Sequence, residues 1–192
     1  PGKCAERRQP RRVTAMEVRD ATPGDASAIA AIYAHHVLHG TATFDTEPRS
    51  AEEMALRITE IAEAGLPFLV ADVAGQGVGY AYAKRFRDRA AYAGTCEDSI
   101  YIDPAHVGRG IGTALLAELI RRCAAAGYRQ MIAVAGGGEP ASIALHRRLG
   151  FTHAGTLRSV GRKFGRWLDT VYMQRELGDG DRTPPASERQ AG

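Results

Sequence analysis

The chain has 192 residues and a mass of 20.6 kDa, 44% hydrophobic and 24% charged, which describes one folded domain with short tails rather than a disordered chain. No apolar run approaches the roughly 20 residues of a membrane span, and no apolar core follows the basic start as in a secretory signal, so a cytoplasmic protein is expected. The net charge of +3 sits at the ends: Lys3, Arg7, Arg8, Arg11 and Arg12 face only Glu6, while residues 178–192 are slightly acidic. The body from 16 to 177 is therefore neutral, which argues against a nucleic-acid binder.

Met16 is the expected natural start, since patterned sequence begins at the next residue, with residues 1–15 a disordered basic arm. Glu17–Ala21 reads as a strand. Thr22, Pro23 and Asp25 then form a helix entry, and Ile29, Ile32, Tyr33 and Val37 recur on one helical face. Ser50 with Glu53 is a capping box for a second helix to about Ala64, striped by Met54, Ile58 and Ile61. Phe68–Val73 and Val78–Phe86 read as a hairpin around Gly75 and Gly77, and Thr95–Ile102 as a further strand. A glycine-rich turn, Val107-Gly108-Arg109-Gly110-Ile111-Gly112, opens a helix carrying Leu115, Leu116, Leu119, Ile120 and Cys123 inward. Gln130–Ala135 is a strand, Ser142–Leu149 a short helix, and Phe151–Leu157 and Leu168–Gln174 two last strands before a disordered tail from 178. Hairpins followed by crossover helices imply an α/β chain whose mixed sheet has helices on both faces.

Three cysteines, without a Cys-x-x-Cys spacing, give no metal reading and no disulfide framework. The glycine turn is the strongest chemical signal. Glycines at a helix start let successive N–H groups converge on one point, as a phosphate requires. The Walker and dinucleotide patterns are both absent. Glu97 and Asp98 alternate to opposite faces of their strand and so do not form a working pair automatically.

The strand Ile100-Tyr101-Ile102, the Asp103-Pro104 step and the glycine turn together resemble the Q/R-x-x-G-x-G/A motif of the GNAT superfamily of N-acetyltransferases. Val107 stands in place of Gln or Arg. Phe44 to Pro48, Gly79 to Ala83, Leu145 to Phe151 and Gly161 to Asp169 are similar to the phosphinothricin N-acetyltransferase branch, in the same order over residues 17–177. The resemblance implies the GNAT fold, a mostly antiparallel twisted sheet of about seven strands with about four helices, spanning residues 16–177. It implies acetyl-CoA as cosubstrate, a small-molecule amine as acceptor, detoxification as the role, and a homodimer.

By the same resemblance Glu97 is the general base, and backbone around Tyr101 polarises the acetyl carbonyl. His146 either protonates the leaving thiolate or packs beside the cofactor. Ile100, Tyr101, Ile102, Val107, Gly108, Arg109, Gly110, Ile111, Gly112, Thr113, Ser142 and His146 border the cofactor, with Glu139 where the family usually has Asn. Arg89 and Tyr92 are expected to recognise an anionic acceptor, Phe44 its aliphatic part, and Lys163 to reach the site from the last hairpin. Two alternatives stay open: an acetyltransferase for another small amine, and a silent acetyl-CoA-binding module.

Overall fold

A computed structural model describes residues 16–184. The expected basic arm and the end of the tail, 185–192, lie outside the described residues. Seven strands form one sheet in the order β1-β2-β3-β4-β5-β7-β6. They are β1 (Met16–Asp20), β2 (Phe68–Val73), β3 (Gln76–Arg85), β4 (Thr95–Ile102), β5 (Gln130–Gly136), β6 (Thr152–Lys163) and β7 (Arg166–Glu176). The helices are α1 (Ala26–His39), α2 (Ala51–Glu63), α3 (Ile111–Ala125) and α4 (Pro140–Arg148). Among the described residues no helix is long and apolar enough to cross a membrane.

Local chemistry accounts for the boundaries. Thr22 donates to the Asp25 carboxylate from both its amide and its hydroxyl, at 2.8 and 2.9 Å, and a 3-10 turn leads into α1. Ser50 and Glu53 exchange reciprocal bonds at the start of α2. On α1 and α2 the stripes Ile29, Ile32, Tyr33, Val37 and Met54, Ile58, Ile61 are buried, as their spacing predicts. On α3 the residues Ile111, Leu115, Leu116, Leu119 and Cys123 are buried, while Ile120 is only partly covered. α1 and α2 pack on each other, α1 contacts β3 and β4, and α3 packs against β2, β3 and β4.

β6, β7 and α4 reach beyond the bounds their sequence pattern suggests. β6 continues past Leu157 to Lys163 because a bulge there, with Ser159 at φ 52°, breaks the alternation without ending the strand. Asp169 holds the bulge by accepting from the Ser159 amide at 2.9 Å. α4 starts at Pro140, where the missing N–H costs nothing in a first helical turn. Residues 178–184, expected as disordered tail, instead form turns fastened by Arg129. Its guanidinium donates to Thr183 and to the Pro184 carbonyl and pairs with Asp179.

All sheet neighbours are antiparallel except β4 and β5. Their parallel ladder ends at Asp98–Ala133, although β4 runs on to Ile102 and β5 to Gly136. The two strands splay there, and the sheet opens.

Candidate active site

The splay is the centre of a cavity of about 860 Å³ lined from both sheet faces. Strand register decides which backbone groups it exposes. Asp103 donates to Val78 and Phe86 to Thr95, so β4 residues 95, 97, 99 and 101 turn their amides to β3. Residues 96, 98, 100 and 102 turn theirs toward β5. Past Asp98 no β5 carbonyl meets them, which leaves the Ile100 N–H facing the gap. The Ile102 carbonyl is taken by His36, whose Nε2 donates at 2.9 Å. The backbone around Tyr101 was expected to face the acetyl carbonyl; the Tyr101 amide itself is turned to β3, and the open donor is that of the adjacent Ile100.

Side chains alternate across the same strand. Tyr101 packs edge-on to Tyr33 of α1, at 5.2 Å between centroids, so Glu97, Ser99 and Tyr101 face α1 and α2. Asp98 and Ile100 face α3 and α4, and Glu97 and Asp98 are separated as predicted.

On the α3 side, Gly108 and Gly110 have φ of 79° and 80°, a region that costs other residues about 1–2 kcal/mol. A Cβ at either would meet nothing within 4 Å, so the backbone lies open to the cavity there. At Gly112 a Cβ would come to 3.2 Å from the Leu145 side chain, and its absence brings α3 and α4 together. Backbone amides at the start of α3, an open peptide donor in the splay and a long cleft joining them fit a pyrophosphate with a pantetheine arm. Ile100, Tyr101, Ile102, Val107, Gly108, Gly110, Ile111, Gly112, Thr113, Glu139, Ser142 and His146 all line it. Arg109 does not: its guanidinium turns back to the Ala105 carbonyl at 3.1 Å.

His146 is buried with both ring nitrogens engaged. Nδ1 lies 2.7 Å from the Ser142 carbonyl, which only accepts, so that nitrogen carries a proton. Nε2 lies 3.0 Å from Asp98 Oδ2. Burial by itself lowers the His146 pKa, but the bond and charge of Asp98, with the Ser142 carbonyl, outweigh it and raise the pKa above the ordinary 6.5. Neither nitrogen is free to meet a ligand.

On the α1/α2 side the wall is Tyr82, Lys84, Glu97, Ser99 and Tyr101, covered by Tyr33, Phe44, Asp45, Met54 and Arg57. Burial pushes the Tyr33 phenol up to about 12, and it donates to Asp45 at 2.7 Å. Lys84 Nζ is 2.8 Å from Glu97 Oε1. The Phe44 ring lies against Gly161, where a Cβ would collide with it, and close to Gly136, where a Cβ would collide with the Thr41 carbonyl and crowd the ring at 3.2 Å, so these glycines seat the Phe44 loop in the cavity.

Three expected acceptor contacts are corrected. Arg89 and Tyr92 are absent from the lining, because the β3–β4 connection leaves the sheet at the end opposite the splay. Tyr92 instead packs edge-on to Phe86. Lys163 is buried and donates to the carbonyls of Gly40 and Thr43 at 3.0 and 2.9 Å, tying β6 to the loop that carries Phe44. Desolvation lowers its pKa. The cations that do reach this side, Arg49, Arg57 and Lys84, were missed; the Lys84 position is readable only as alternation with Tyr82 along β3. Among the described residues no group of three or more His, Cys, Asp or Glu side chains forms a metal site.

The sequence profile of the acetyltransferase (GNAT) domain matches residues 18–172. The chain belongs to the GNAT acetyltransferase family. It is 51% identical over 172 residues to a phosphinothricin N-acetyltransferase of Alcaligenes faecalis, covering 89% of this chain and 87% of that one. Against an L-methionine sulfoximine/L-methionine sulfone acetyltransferase of Pseudomonas paraeruginosa it is 41% identical, covering 88% and 98%. A crystal structure of a GNAT phosphinothricin acetyltransferase from Sinorhizobium meliloti in complex with AcCoA superposes with a TM-score of 0.87 at 52% identity, covering 89% and 93%. This GNAT enzyme is thus an N-acetyltransferase that uses acetyl-CoA, built on the mixed, mostly antiparallel sheet expected from its sequence.

Proposed function

We infer that this enzyme acetylates the α-amine of a small anionic amino-acid analogue, of the phosphinothricin, methionine sulfoximine or methionine sulfone kind, as a detoxification step. The observation that carries the reading is the splay itself. It puts an unpaired peptide donor, Ile100 N–H, between a phosphate-type cradle on one sheet face and the Glu97 carboxylate on the other.

Acetyl-CoA supplies the activated acyl group when bound: an N–C bond forms, the C–S bond breaks, and sulfur leaves with the electron pair. The amine arrives protonated, and Glu97 takes its proton directly or through one water, so the nitrogen lone pair is available. Ile100 N–H donates to the acyl oxygen as negative charge gathers there, a fixed donor that needs no reorganisation. Gly108 and Gly110 leave main-chain amides bare for the pyrophosphate. His146, held at both nitrogens, keeps α4 against β4 rather than giving up a proton. Phe44 offers the apolar surface for the acceptor side chain.

We also read the β6–β7 hairpin as the homodimer face. Leu157, Val160, Phe164 and Trp167 are exposed there, which is costly for a lone subunit. A cytoplasmic site of action follows from the need for acetyl-CoA.

The test is thiol release from acetyl-CoA against phosphinothricin, methionine sulfoximine, methionine sulfone, ordinary amino acids, spermidine and one aminoglycoside. Activity confined to the amino-acid analogues supports the reading. Activity confined to the polycations, or none at all with acetyl-CoA still bound, refutes it.

A further inference from the structure

Lys84 and Glu97 stand directly opposite each other in the β3–β4 ladder, on the face toward α1 and α2. The Glu97 side chain is 14% exposed and that of Lys84 43%, so the carboxylate is the fixed partner and the ammonium the mobile one. One step along the same face, Arg57 stacks over the Tyr82 ring at 4.9 Å and donates to its hydroxyl at 3.0 Å. Among the described residues no carboxylate pairs with Arg57. The acceptor side thus carries two paired carboxylates, Glu97 with Lys84 and Asp45 with Arg49, and a third cation, Arg57, without a carboxylate partner.

Glu97 Oε1 is already occupied by the Lys84 ammonium at 2.8 Å, so an incoming amine has to displace Lys84 to reach that oxygen. The base proposed above is therefore masked in the resting enzyme. We propose that Lys84 is a specificity residue that releases Glu97 only for acceptors bearing their own anion. The carboxylate or oxyanion of the acceptor competes for the ammonium, and Lys84, a point charge on a flexible four-carbon stem, swings to it. Glu97 is then free to take the proton from the acceptor's ammonium group. Arg57, held in place by Tyr82, offers a second cation to an acceptor with two anionic groups. Neutral and cationic amines bring nothing to draw Lys84 away, so they are rejected at proton transfer as well as at binding. This rests on the reading of Glu97 as the base.

The experiment compares methionine sulfone with its carboxamide, which keeps the amine and loses the anion. Both are assayed for kcat and KM with the wild-type enzyme, Lys84→Met and Glu97→Gln. The wild type is expected to favour the acid by roughly 100-fold in kcat/KM, the range of a lost hydrogen bond to a charged group. In Lys84→Met that preference should fall at least about tenfold, with KM for the acid rising and kcat for the amide rising. A faster reaction on the poor acceptor is something mere structural damage does not produce. A preference that stays within about twofold of wild type, or an amide kcat that falls with the acid's, overturns the proposal. Glu97→Gln separates the two layers: if it keeps its turnover, the base reading fails and the gate with it. If it is inactive while Lys84→Met keeps the wild-type preference, only the gate fails.

Discussion

His146 Nε2 lies 3.0 Å from Asp98 Oδ2, with both side chains almost wholly shut from solvent, beneath the strand that carries Glu97 on its other face. Because Nδ1 already donates to the Ser142 carbonyl, the second contact needs a proton either on the ring or on the carboxyl. The raised His146 pKa means that the pair stabilises the fold fully below the ordinary 6.5, and that this share is lost as pH rises through the folded-state value. Asp98→Asn should cost about 2 kcal/mol near pH 6 and less near pH 9, read from urea midpoints. An equal cost at both pH values is incompatible with a charged pair.

Asp25 gives the opposite pH dependence. The paired guanidinium of Arg19 is the main cause that holds its carboxyl down at about 2, and burial opposes this. Its contribution is present above the ordinary 3.8 and disappears as pH falls through about 2. Acid unfolding of Asp25→Asn should therefore begin from a lower stability but show a shallower slope between those limits.

Gly110→Ala tests the cofactor cradle. The new methyl has open space, so the cost is conformational, from holding alanine at φ 80°. Calorimetric titration should show acetyl-CoA binding weakened about tenfold, the equivalent of about 1.4 kcal/mol. Unchanged affinity would remove this turn from the cofactor site.

Gly161→Ala probes the acceptor pocket from a distance. Its Cβ would run into the Phe44 ring and push it from its seat. KM for the acceptor should rise several-fold while acetyl-CoA affinity holds, since the cradle lies on the other face of the sheet.

The exposed hairpin face is tested by Trp167→Glu, at a residue 63% exposed. Sedimentation should shift from dimer to monomer, because a carboxylate placed in an apolar interface loses its hydration without gaining a partner. A wild-type protein that sediments as a monomer would rule out the dimer directly.

Elements and their ends were legible because caps, glycine turns and apolar periodicity act within a few residues. Ser50 with Glu53 and the α3 stripe are examples. The cofactor side was legible for a related reason: it is built mainly from one contiguous strand–turn–helix segment, Ile100 to Thr113. The acceptor side is assembled from α1, α2, β3, β4 and the loop before α2, so one-dimensional order says little about it. The family resemblance suggested Arg89 and Tyr92, which the β3–β4 connection carries away from the splay, whereas Arg57 arrives from α2.

By itself the amino-acid order determined the elements, the family and the phosphate-type turn, since each rests on short-range chemistry. Only the tertiary structure decided that Lys84 faces Glu97, that Ile100 rather than Tyr101 holds the free amide, and that His146 is spoken for at both nitrogens. Those facts depend on strand register and on where one ladder stops. Both are set by packing across the whole sheet.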